Sequence, residues 1–181
     1  TSPLWAGDGL RKQSPGLDLV SAETVVTACR RVKTGSELAL LREAADIVDA
    51  AYRSIGGKIE AGMDGSDIFI LMSEAISGFG GNAPSGGVQI NEGSALPHGS
   101  KVRETVSDGS VVLMDCGCTV DGYYADISRT AVFGTPTKRQ KEVYRQVRLG
   151  QEAAMQAAQP GAEAGSVDDA VRSLYESMGY G

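Results

Sequence analysis

The sequence predicts an α+β layered fold in which helices cover one face of a curved antiparallel sheet. Three observations lead there. Two amphipathic helical segments come first, between about Thr34 and Gly81; a β-branched hairpin pattern runs from Val111 to Phe133; and two more helical segments follow, from Thr137 to Met178.

The elements can be justified in order. Residues 1–16 are polar and rich in turn formers, and the chain opens on Thr1 rather than methionine, so residues 1–29 read as a linker or the tail of a preceding domain, with the main domain over 30–181. Thr34 and Glu37 form a capping box, and Leu38, Leu41, Ala45, Val48 and Tyr52 follow at helical spacing to Gly56-Gly57. Ser66 can cap a second helix whose buried face is Ile68, Leu71, Met72, Ala75 and Ile76, stopped by Gly78 to Gly81. Val88-Gln89-Ile90 is a short strand, and Asp108-Gly109 turns into the hairpin. Thr137 with Gln140 starts a helix to about Ala158, stopped at Pro160-Gly161. Ser166 opens the last helix, with Gly179 placed for a left-handed cap.

The hairpin carries the chemistry. Asp121-Gly122 is the strongest short turn signal in the chain, and a two-residue turn there pairs Val120 with Tyr123. Stepping back along both strands pairs Asp115 with Ser128 and Gly117 with Asp126. Asp115 and Asp126 then share a face as diagonal neighbours with backbones roughly 7–8 Å apart. Gly117, opposite Asp126, leaves the intervening space free of its own side chain. Two convergent carboxylates suit a hard divalent cation, or two such ions about 3.5–4 Å apart. The spacing alone leaves another reading open: Asp115 as a buried, hydrogen-bonded aspartate and Asp126 as an exposed strand residue. An aspartate in Val-Val-Leu-Met-Asp is costly to bury without donors or a cation.

Three segments resemble the Xaa-Pro peptidase branch of the metallopeptidases with the pita-bread fold, a group that includes methionine aminopeptidases and creatinase. They are Asn91-Glu-Gly-Ser-Ala-Leu-Pro-His-Gly99, the hairpin from Asp115-Cys-Gly to Asp126-Ile-Ser-Arg-Thr130, and the helix opening Thr34-Gly-Ser-Glu37. The resemblance runs from about Arg30 to the last residue. It implies that Asp115 and Asp126 are ligands of a centre of two divalent metal ions (Mn, Co or Zn), and that His98 contacts substrate or moves a proton beside it. It also implies hydrolysis of peptide bonds before proline, by a prolidase or Xaa-Pro aminopeptidase, through a metal-activated water. The family completes its site with one histidine and two glutamates from segments downstream of Gly181, and His98 is the single histidine here. The expectation is therefore an incomplete pita-bread domain, its first half and the opening helices of the second, inactive in isolation. One sheet edge would be left open for a complementing C-terminal segment or a second copy in a homodimer. A noncatalytic relative serving as a binding module and a creatinase-like amidinohydrolase are the other two readings.

Composition excludes several classes. The formal charge of −6 and the lack of a basic stripe argue against nucleic acid. No apolar run is long enough to span a bilayer. Cys29, Cys116 and Cys118 are an odd number without a disulfide framework, and Cys116 and Cys118 fall on the strand face opposite Asp115, so they read as packing in a reducing, cytoplasmic setting. His98, between Pro97 and Gly99, has the ordinary pKa of about 6.5 that suits proton movement near neutrality; as a lone loop histidine it could equally be a surface residue. Gly86-Gly87 and Gly78 to Gly81 lack the Lys-Ser/Thr of a phosphate loop and read as turns and helix stops.

Overall fold

Helix starts in this chain are set by reciprocal side-chain caps. The computed structural model, which describes residues 4–16, 18–96 and 102–180, contains helices α1 (Leu4–Gln13), α2 (Glu23–Arg31), α3 (Gly35–Ile55) and α4 (Gly65–Gly78), then strand β1 (Asn82–Ile90) and a 3₁₀ turn (Asn91–Ala95). The hairpin strands β2 (Val111–Val120) and β3 (Tyr123–Val132) follow, and helices α5 (Lys138–Ala157) and α6 (Ala164–Ser177) come last. Thr34 caps α3 through the expected box, Glu37 returning a bond to the Thr34 amide at 2.6 Å. That bond, with those from the Thr34 and Tyr123 hydroxyls, holds the Glu37 carboxyl below its ordinary pKa. Tyr123 donates to Glu37 Oε1 at 3.0 Å, which ties the start of β3 to the start of α3.

The α4 cap is Asp64, not Ser66. The Asp64 carboxylate accepts the Ser66 and Asp67 amides, and Asp67 reciprocates to the Asp64 amide. Ser66 loses because an ionised oxygen makes the stronger charge-assisted bond to amides at a helix N-terminus. Asp64 also pairs with Arg103, and its backbone bridges to Thr105, so the segment entering β2 is fastened to the base of α4.

The sheet has the order β1-β2-β3, antiparallel throughout. On β2, Val112, Met114, Cys116, Cys118 and Val120 are buried, while Asp115 between them is exposed. The buried face meets α3, which packs on β2 and β3, and α4, which packs on β1 and on α3. The core is Ala44, Val48, Ala51, Ile55, Ile68, Met72 and Ile76 against these strand residues. The α3 stripe agrees with the expected one at Val48 and Tyr52, which are buried, but Leu38 is exposed, and Ala44, Ile47, Ala51 and Ile55 are also inside.

Two local expectations differ from the structure. β1 is longer than Val88 to Ile90, because pairing with β2 carries it back to Asn82 through a register shift and Gly86 at φ +118°, where tertiary pairing overrides the strand-breaking Asn-Ala-Pro-Ser-Gly-Gly sequence. Residues 4–13 and 23–31 are helical rather than turn-rich, although α1 and α2 form no packed interface with another element among the described residues. The closing helices start as expected at Thr137, with its box to Gln140, but α6 begins after Glu163 without a side-chain cap. Gly179 has the left-handed φ of +85°.

Two substitutions test this packing. The Cβ of an alanine at Gly65 would lie 2.3 Å from the Val88 carbonyl oxygen, so Gly65→Ala is expected to destabilise by about 1–3 kcal/mol in urea unfolding, despite the better helix propensity of alanine. Asp64 sits below its ordinary pKa of 3.8, chiefly through the backbone bond from Asp67, with Arg103 and Ser66 adding to it. Its stabilising contribution is present above the unfolded value and is lost as pH falls through the lower folded value. Asp64→Ala should therefore lower the urea midpoint at pH 7 and flatten the loss of stability below pH 3.8.

Candidate functional site

The β2–β3 register is the expected one at every position that matters. Asp121 and Gly122 occupy the turn with φ of +47° and +83°, the left-handed pair that a two-residue hairpin turn requires. Val120 pairs with Tyr123, Gly117 with Asp126, and Asp115 with Ser128. Asp115 and Asp126 therefore stand on one face of the sheet, the face turned away from α3 and α4, and both are exposed. Of the two alternatives for Asp115, the buried one is ruled out: its apolar sequence neighbours Met114 and Cys116 point inward and the carboxylate outward.

Ser128 donates to Asp115 Oδ1 at 2.5 Å, fixing one oxygen of that carboxylate. The space above Gly117 is not empty, in contrast to the expectation. Tyr124 leans across β2, its hydroxyl 2.9 Å from Ser85 Oγ on β1, and a Cβ at Gly117 would lie 2.5 Å from that phenol oxygen. Gly117 is needed because the Ala125 carbonyl of β3 and the Tyr124 ring both crowd the place a side chain would take. The consequence is a phenol wall beside the two carboxylates.

The reverse side of the hairpin is equally ordered. Tyr52 of α3 directs its hydroxyl to the Met114 carbonyl at 3.1 Å and the Ile127 carbonyl at 2.6 Å. Arg129, the cation nearest Asp126 in sequence, is turned to this inner side, 5.7 Å from the Tyr52 ring centroid and 3.1 Å from Asp49. It does not neutralise the outer carboxylates. Bonds from Arg53 and then Arg129 hold Asp49 below its ordinary pKa. Burial, first of all, raises the Tyr52 hydroxyl and the Cys116 thiol; Cys116 and then Asp115 add to the first shift, and Asp115 and Asp126 to the second.

Oxygen donors on one uncovered face fit a hard divalent ion, with Ser128 orienting Asp115 as an outer-shell group would. The fit is partial. Among the described residues no group of three or more His, Cys, Asp or Glu side chains converges, whereas a catalytic metal commonly has about three protein ligands. His98 lies outside the described residues. Beside the carboxylate face, a groove of about 870 Å³ separates β3 from α5, lined by Ser128, Thr130, Val132, Tyr144 and Val147.

Sequence reasoning found the two aspartates and, through the register, Ser128. It missed Tyr124 with Ser85, and it saw Tyr52 only as a core residue. The position of Tyr124 on the Asp126 face was readable from alternation; its lean toward Ser85 depends on how β1 pairs with β2.

Comparison with known proteins bears on all of this. The sequence model of metallopeptidase family M24 matches residues 39–181. The chain is 28% identical to the Xaa-Pro dipeptidase of Pyrococcus furiosus over 96% of its own length and 51% of that protein. Among solved structures it matches the X-Pro aminopeptidase of Thermotoga maritima with a TM-score of 0.90 at 28% identity, over 99% of this chain and 51% of that one. The prolidase of Pyrococcus horikoshii gives a TM-score of 0.90 at 28% identity, over 100% and 53%. The chain thus spans about half the length of the curated relatives it matches. With the family matched over most of the chain and the prolidase architecture matched over all of it, this protein belongs to metallopeptidase family M24 and carries part of the pita-bread fold.

Proposed function

We propose that this chain supplies the carboxylate-bearing part of the active centre of a metal-dependent peptidase of the Xaa-Pro dipeptidase or aminopeptidase type. The observation that supports it is the pair Asp115 and Asp126, set on one uncovered sheet face by a register in which a one-residue slip between β2 and β3 would put them on opposite faces. Asp115 and Asp126 are the residues that would hold divalent metal, as two ions of Mn, Co or Zn. Bound there, such ions supply Lewis acidity and lower the pKa of an attached water.

The chain's own groups have separate roles in this proposal. Asp115 and Asp126 offset positive charge, and Ser128 keeps Asp115 oriented. His98 contacts the substrate or moves a proton, a role open to imidazole side chains near neutral pH. Peptides with proline after the cleaved bond are the proposed substrates, consistent with the names of the dipeptidases and the aminopeptidase to which the chain is similar.

Residues 30–181 are proposed to be the first half of the domain together with the opening helices of the second, and residues 1–29 the segment leading into it. The open edge of β3 and the groove before α5, with Tyr144 and Val147 about half exposed, support a complementing C-terminal segment or a second copy as the cover. The three free cysteines favour a reducing, cytoplasmic location.

The test is calorimetric titration with Mn²⁺ alongside hydrolysis of a simple Xaa-Pro dipeptide, on this chain and on the chain with a complementing half. The complemented protein is expected to bind metal and turn over, and the isolated chain to bind weakly without turnover. In the complemented protein, Asp126→Asn should reduce activity by more than the roughly 10–100-fold that loss of a group supporting a ligand costs, with an unchanged circular dichroism spectrum. Full activity in that variant would sink the ligand assignment.

A further inference from the structure

Tyr52 is buried in α3, yet it spends its hydroxyl on two carbonyls of the hairpin rather than on its own helix. Those carbonyls are not arbitrary ones. The Met114 carbonyl belongs to the peptide unit that leads into Asp115. The Ile127 carbonyl belongs to the unit joining the residue after Asp126 to Ser128, whose own hydroxyl binds Asp115 Oδ1. One phenol proton therefore links the two strands from behind, at the level where the carboxylates leave in front.

We infer that Tyr52 is a positioning residue for the carboxylate pair, setting the separation and tilt of Asp115 and Asp126 for a divalent cation by clamping Met114 and Ile127 from the helix side. The ring is itself fixed. Arg129 stacks over it at 5.7 Å from the centroid and is held there by Asp49, one helical turn before Tyr52. The ladder of β2 and β3 would hold the strands side by side without Tyr52. What the ladder does not set is their local tilt against α3, and Tyr52 is the side chain that reaches both strands at this level. Its substitution should thus loosen the geometry of the site more than the stability of the fold.

This inference rests on Asp115 and Asp126 being metal ligands, and the experiment separates the two ideas. Mn²⁺ is titrated into the complemented protein with this chain isotope-labelled, and the broadening of the backbone amide signals near residues 115 and 126 is followed by NMR. The chain is compared with Tyr52→Phe, Asp126→Asn and Ile76→Val, the last a trimmed residue of the same core, on α4. Tyr52→Phe keeps the ring in the core and removes only the hydroxyl.

The expected result is about a 10-fold or greater loss of Mn²⁺ affinity in Tyr52→Phe, in line with outer-shell groups of metal sites, with Ile76→Val unchanged and Asp126→Asn showing no localised broadening. Equal affinity in Tyr52→Phe and the parent chain overturns the positioning role. An equal loss in Ile76→Val overturns it in favour of general destabilisation. If the complemented parent shows no localised broadening, or Asp126→Asn binds as the parent does, the ligand assignment fails and the positioning role falls with it.

Discussion

The register of one hairpin governs this molecule. Because side chains alternate along a strand, a shift of β2 by one residue would expose Met114, Cys116 and Cys118 and drive Asp115 into the core. Burial of the apolar row and exposure of the carboxylate are thus a single requirement. The left-handed turn at Asp121 and Gly122 locks that choice from one end, and the contact between Tyr123 and Glu37 locks it to the helix layer.

From the hairpin outward, each packing contact has a consequence on the opposite face. α3 covers β2 and β3, so the outer face is left to the polar row of Asp115, Asp126 and Ser128. Tyr52 and Arg129 take up the inner side, which turns Arg129, the cation nearest Asp126 in sequence, away from the outer carboxylates. Asp64, by capping α4 and pairing with Arg103, fastens the strand-entry segment to the same helix layer. The cost of leaving two exposed carboxylates near each other is low in water and rises once the face is covered. That is the physical reason a cation and a covering half go together in the proposed enzyme.

The helix pair at the end has the opposite character. α5 and α6 pack on each other, and Tyr144, Val147, Leu149 and Met155 are exposed. In the proposed enzyme this little-covered apolar surface would be met by a complementing half. The relatives, about twice as long as this chain, have the additional length to provide it.

The sequence by itself determined the class of the fold, the capping boxes at Thr34 and Thr137, the turn at Asp121-Gly122 and the common face of Asp115 and Asp126. These are local properties: a cap lies within one helical turn, and a two-residue hairpin fixes its own register. It also carried the family through three short segments, which the match over residues 39–181 bears out. Tertiary structure decided the rest. The full length of β1 depends on its partner β2, the preference for Asp64 over Ser66 on an ionised cap that also meets Arg103, and the burial of Ala44, Ile47, Ala51 and Ile55 beside the expected Val48 and Tyr52 on where the sheet meets α3. The bridge from Tyr124 to Ser85 and the clamp from Tyr52 to Met114 and Ile127 join residues 39, 62 and 75 positions apart. No local pattern encodes such pairs, because they exist only once β1 and α3 have been brought against the hairpin.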